Sequence, residues 1–167
     1  MKILQMNLLI LLNLFIIMTT KIIINENKIF LGIDFGTKKI GISVGQLITK
    51  QASPLKIIFN NKNKINWDEI DKIIQEWKPD TIVVGYPYSN SKNTFIKLLD
   101  DFILNLTNKY INSVKIIKFS EILSTEESRL LYSEIRKSEY NIGKKENLDD
   151  LSASIILQSW FNENMIT

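Results

Sequence analysis

Apolar positions along the chain follow two periods, and the changes of period mark out the elements. Ile29 to Asp34 is a short, β-rich apolar run, as in a central strand. Gly36-Thr37-Lys38-Lys39 reads as a turn. Ile40, Ile42 and Val44 then alternate with Gly41, Ser43 and Gly45, a period of two that predicts a second strand folded back on the first. "SPLKIIF", beginning near Pro54, is a third strand candidate, followed by an Asn/Lys loop from Asn60 to Lys64. The period then becomes helical. Asn66 caps a helix whose first turn carries Asp68 and Glu69 and whose stripe is Ile70, Ile73, Ile74 and Trp77; Pro79 stops it. "TIVVGYP" is an unbroken apolar run, expected of a strand buried on both faces. A polar loop leads to a long helix with the stripe Phe95, Leu98, Leu99, Phe102, Ile103 and Leu106, and "VKIIKF" is a fifth strand. Ser124 and Glu127 form a capping box that opens a further helix. "KSEYNIGKKEN" reads as a loop, and a last helix presents Leu151, Ile155, Ile156 and Trp160 on one side.

The order β-β-β-α-β-α-β-α-α predicts an α/β chain: one domain with a five-stranded mixed sheet covered by helices on both faces. The 167 residues hold one full core and leave no room for two large domains. Residues 1–27 differ from the rest. Their apolar run is short for a membrane span, Asn7 and Asn13 interrupt it, and no small-residue cleavage site follows. A start assigned too far upstream, a weak signal-like segment and an extension packed on the domain are the competing readings. The domain itself is placed at residues 28–163, with no stable membrane partner and a cytoplasmic location expected.

Composition narrows the chemistry. The chain has no Cys and no His. This removes thiol nucleophiles, Cys/His zinc sites and His-based triads. Any metal would sit among oxygen ligands, as Mg²⁺ or Mn²⁺ does. The net charge of +3 permits a nucleic-acid partner without requiring one.

Three acids fall at element boundaries: Asp34 ends the first strand, Glu121 follows the fifth, and Asp149 precedes the last helix. Ligands of open α/β sheets gather at the carboxyl ends of the strands. If the first and fifth strands are parallel, Asp34 and Glu121 reach one edge, and a helix start can bring Asp149 there. Carboxylates so clustered need a compensating cation, and the natural chemistry is phosphodiester hydrolysis. Each acid also has a plainer use. Asp34 can shape a turn, Asp149 can cap a helix, Glu121 can be a solvated surface group, and Asp150 competes with Asp149.

Four segments, "GIDFGTKKIGISVGQ", "IVVGYPYS", "EILSTEESR" and "LDDLSASIILQSWF", resemble the YqgF family in order and spacing over about Phe30 to Phe161. Its members have a ribonuclease-H-like fold related to Holliday junction resolvases. They are regarded as nucleases that process the 5′ end of the 16S ribosomal RNA precursor. The resemblance implies metal-binding catalytic acids at Asp34, Glu121 and Asp149. It also matches Gly36 and Lys38, so that Gly36, Thr37 and Lys38 would contact substrate. Structured RNA is the implied partner, with branched DNA as a further candidate. One departure stands out: the family's Asp-Glu-Arg is Ser120-Glu121-Ile122 here, so an acid and a phosphate-pairing Arg are missing. That loss keeps open a non-catalytic RNA-binding or assembly role. "GIDFGT" also looks like the phosphate loop of the actin and sugar-kinase superfamily, which the chain length disfavours, because those proteins need two large domains.

Overall fold

The computed structural model of the protein describes residues 27–61, 64–87, 94–120 and 149–164. Five strands form one sheet: β1 (Ile29–Phe35), β2 (Lys39–Gln46), β3 (Gln51–Phe59), β4 (Thr81–Tyr86) and β5 (Lys115–Ser120), in the order β3-β2-β1-β4-β5. β1, β2 and β3 are an antiparallel meander, and β4 and β5 add in parallel on the other side of β1. The mixed sheet expected from the apolar pattern is therefore present, and β1 and β5 run the same way. β3 is longer than the sequence suggests. It starts at Gln51 and carries Pro54 at an edge position, opposite a register shift between Ile42 and Ser43. An edge strand with an irregularity is where a residue lacking an N–H can sit.

Three helices are described: α1 (Trp67–Trp77), α2 (Thr94–Tyr110) and α3 (Asp149–Asn164). α1 begins as its cap predicts, with the Asn66 side chain accepting a hydrogen bond from the Glu69 N–H. It ends at Lys78, which turns left-handed at φ 46° and donates its N–H to Ile74 O just before Pro79. The expected helix beginning at Ser124 and the loop after it lie outside the described residues, as does the segment 1–26. Among the described residues, no helix is long and apolar enough to cross a membrane.

The alternation along each strand sorts two cores onto the two faces. Leu31, Ile33 and Phe35 of β1, with Ile40 and Ile42 of β2 and Ile82 and Val84 of β4, pack under α1 and α2. Phe30, Val83 and Phe119 face the other way and pack against Ile156, Leu157, Trp160 and Phe161 of α3. Two expected stripes need correction. In α2, Leu98 is exposed and Ile96 is buried in its place. In α3, Leu151 is exposed and Ile155 is only half-buried, while Ser152, Ala153, Ser154 and Leu157 join Ile156, Trp160 and Phe161 inside. Small side chains bring α3 close to the sheet, so its buried face mixes Ser152, Ala153 and Ser154 with the large apolar residues.

Candidate functional site

Asp34 is the penultimate residue of β1, half-buried, and paired across the hairpin with Gly41. By strand alternation it shares the face of Phe30 and Gly32, the face covered by α3. Its neighbour Phe35 points to the opposite face and packs beside Phe95 and Phe102.

α3 lies close over this face because glycines make room. A Cβ on Gly32 would stand 2.3 Å from Ser43 Oγ, 2.7 Å from Ala153 O and 2.8 Å from Leu157 Cβ. A Cβ on Gly45, the partner of Phe30, would stand 2.6 Å from the Phe161 ring. Ser43, wholly buried, donates its hydroxyl to Ala153 O at 2.8 Å. Gln158 pins the far side of the helix: its Oε1 accepts from the Ala52 N–H at 3.0 Å and its Nε2 donates to Lys50 O at 2.9 Å. These contacts fix the direction of the helix. Phe161 sits over the level of Phe30, and Ala153 and Leu157 over Gly32, so α3 runs antiparallel to β1. The next level along β1 is Asp34, about 7 Å on, and the next turn back along α3, about 5 Å, is the first turn, opened by Asp149 and Asp150. Backbone register thus brings Asp34 and the start of α3 to one face and one edge.

β5 ends at Ser120 on that same edge. Ile33 is level with Val84 and Val84 with Lys118, so the ends of β1, β4 and β5 lie side by side. Glu121 follows directly and lies outside the described residues. Among the described residues, no three acids gather as a metal cluster.

The turn after β1 carries the other expected residues. Gly36 is needed where it stands, since a Cβ there would meet Lys39 O at 2.6 Å. Lys38 is exposed. The turn is held by the residue that directly follows β3, which the hydrophobic pattern places in a loop. Asn60 Nδ2 donates to Gly36 O and to Thr37 O, both at 3.2 Å, and the Asn60 N–H donates to Lys38 O at 2.9 Å. Asn60 Oδ1 in turn accepts from the N–H of the α1 cap, Asn66, at 3.2 Å.

Other polar clusters are built on the α1/α2 face. Asp100 accepts from Lys118 at 2.6 Å and from the Tyr86 hydroxyl, and Lys118 lies over the Tyr86 ring. The Lys118 hydrogen bond holds the Asp100 carboxyl below its usual range. Asp71 is held down by Lys109 and Tyr110 even though its partial burial pushes the other way, and burial together with Asp71 raises the Tyr110 phenol. A cavity of about 330 Å³ opens between Phe35, Trp67 and Phe102, rimmed by Thr37 and Asp101. It belongs to the face of Phe35, opposite Asp34.

Residues 28–163 match the family described as "RuvX: Holliday junction resolvase". A protein of Buchnera aphidicola subsp. Baizongia pistaciae, named "Putative pre-16S rRNA nuclease", is 40% identical over 80% of this chain and 96% of its own. One of the same name from Shewanella denitrificans is 35% identical over 81% of this chain and 94% of its own. Among solved structures, Thermus thermophilus RuvC in complex with a Holliday junction superposes with a TM-score of 0.53 at 12% identity, over 83% of this chain and 96% of that one. The fowlpox virus Holliday junction resolvase gives 0.50 at 17%, over 81% and 99%. These likenesses establish the ribonuclease-H-like fold of the resolvases.

Proposed function

Since the chain belongs to the RuvX family of Holliday junction resolvases, for which YqgF is the other name, we propose that it is a metal-dependent nuclease of structured RNA. Its reaction is phosphodiester hydrolysis, its substrate the 5′ end of the 16S ribosomal RNA precursor, and its location the cytoplasm. The activity belongs to a domain spanning residues 28–163, with residues 1–27 outside it. The observation that carries this reading is the convergence of Asp34 and the first turn of α3 on one face of the sheet, at the edge where β5 ends. The names of the relatives supply the substrate.

The available donors suit a hard cation. The chain offers oxygen ligands only, without Cys or His, and Mg²⁺ or Mn²⁺ prefers such a set. Asp34, Glu121 and Asp149 would hold it. A bound divalent ion supplies an activated water and stabilises the leaving oxygen. The chain's own residues do the rest. Gly36 lets the backbone come close to a phosphate, Thr37 offers its backbone there, and exposed Lys38 neutralises charge beside it. The seat of α3 on Gly32 and Ser43 sets the helix start relative to Asp34.

Purified protein should cleave precursor 16S RNA with Mg²⁺ or Mn²⁺, and Asp34→Asn should fold but lose cleavage. Undiminished cleavage by Asp34→Asn would sink the reading. A synthetic four-way DNA junction belongs in the same assay, since the family is described by that substrate; preference for the junction would replace RNA with branched DNA. A second reading, a non-catalytic RNA-binding factor, is favoured by Ser120 and Ile122 standing where the family carries an acid and an Arg. RNA binding without cleavage by the parent protein would select it.

A further inference from the structure

Beyond the acids, the structure contains a built device at the turn. Asn60 directly follows β3, 23 and 24 residues from the carbonyls it binds. Its orientation is fixed by its partners. Oδ1 accepts from the Asn66 N–H, and only the amide nitrogen can face two carbonyl oxygens. The same Asn66 caps α1 and donates Nδ2 to Phe59 O, so the clamp is anchored on a helix start.

The clamp has a consequence for the other side of the turn. All described peptide bonds are trans. In a trans, planar peptide the N–H points opposite to the C=O. Drawing the Gly36 and Thr37 carbonyls toward Asn60 therefore turns the N–H groups of Thr37 and Lys38 away from it. Neither N–H has an acceptor among the described residues. Two successive N–H groups presented together, with a lysine side chain beside them, form a concavity suited to an anion. Asp34 is the penultimate residue of β1, three residues before Thr37, so an anion seated there lies close to the proposed metal edge.

We propose that Asn60 is the positioning residue of a phosphate seat formed by the Thr37 and Lys38 N–H groups and the Lys38 side chain. The ligand is a backbone phosphate of the nucleic acid. The proposal rests on the reading of the chain as a nucleic-acid enzyme and adds to it a subsite and the residue that shapes it. Asn60 touches no substrate; it acts through the turn.

The test is a binding titration of fluorescein-labelled precursor 16S RNA in EDTA, where no cleavage occurs, with thermal unfolding measured in parallel. Asn60→Leu, neutral and of similar size, should bind about tenfold more weakly, the loss expected for two hydrogen bonds. Lys38→Ala should weaken the parent but cost clearly less in the Asn60→Leu background, because the two act on one phosphate. A merely structural role would lower the melting temperature and leave the two effects additive. Asn60→Ser, which keeps a shorter donor, should fall between parent and Asn60→Leu, and it decides the matter if the leucine variant does not fold. Parent-like affinity in the folded variants, or additivity with Lys38→Ala, overturns the proposal. A parent that binds RNA and never cleaves it removes the nuclease and leaves the seat. A parent that cleaves, with Asn60 variants that bind unchanged, removes the seat and leaves the nuclease. A parent that binds no RNA removes both.

Discussion

The two faces of the sheet are covered by different means. Under α1 and α2 the contacts are between large side chains: Ile33, Ile82 and Val84 meet Ile70, Leu99, Phe102 and Leu106. Under α3 large side chains also meet, Phe30 against Trp160 and Phe161, but beside them the helix descends onto glycines: Gly32 admits the Ala153 carbonyl, which Ser43 holds, and Gly45 makes room for the Phe161 ring. Side chains of the first kind can repack after a change of volume, at a cost in stability. A backbone seat cannot, because any added atom moves the helix as a body. Both faces bury a core, and the second also sets where the start of α3 stands relative to Asp34.

Breaking that contrast calls for one substitution on each side. Leu99→Ala opens a cavity in the α1/α2 core, where Leu99 is almost wholly buried, and should cost about 2–5 kcal/mol of stability. Chemical denaturation measures it. Cleavage per folded molecule should stay within about twofold of the parent, because the site edge is not touched. Gly32→Ala is the reverse case. Its Cβ overlaps Ala153 O and Leu157 Cβ, so the stability cost is smaller, about 1–3 kcal/mol. Cleavage should nevertheless fall at least about tenfold, since misplacement by about an ångström at a catalytic site has effects of that order or larger. If Gly32→Ala loses stability but keeps full cleavage, the seat does not position the site.

A smaller effect sharpens the description of the α1 side. Hydrogen bonds from Lys56 and Lys72 hold the Glu69 carboxyl down at about 2, against an ordinary 4.5. A carboxyl depressed in the folded state contributes stability above the unfolded value, and that contribution is lost as pH falls toward the folded one. The melting temperature of the parent should exceed that of Glu69→Gln by a small margin at pH 7. The margin should shrink between pH 4.5 and pH 2, and shrink also in high salt, as exposed ion pairs do.

Most of the fold could be read from the chain because its elements advertise themselves locally. The alternation of Ile40, Ile42 and Val44 gives β2, and the Asn66 cap gives the start of α1. What could not be read depends on closeness between distant segments. The buried face of α3 uses Ser152, Ala153 and Ser154, which no hydrophobic period detects, and the close approach of Ala153 depends on Gly32 of another element. Asn60 looks like one more residue of a polar loop until the fold sets it beside Gly36 and Thr37. Of the expected acids, Asp34 and Asp149 are placed at one edge by backbone register, and Glu121 lies just beyond the described end of β5. Their assignment as ligands came from the family resemblance, because a strand-end Asp and a helix-start Asp have ordinary uses as turn and cap.

In the proposed site Asp34 and Asp149 serve one metal ion. Titration of Mn²⁺ followed by electron paramagnetic resonance tests it directly, using the parent protein and the variants Asp34→Asn and Asp149→Asn, each checked for folding by circular dichroism. Each single variant should bind Mn²⁺ at least about tenfold more weakly, and the double variant little worse than either, because the two carboxylates act on the same ion. Mn²⁺ affinity unchanged in both single variants would contradict the account and return the two acids to a turn and a helix cap.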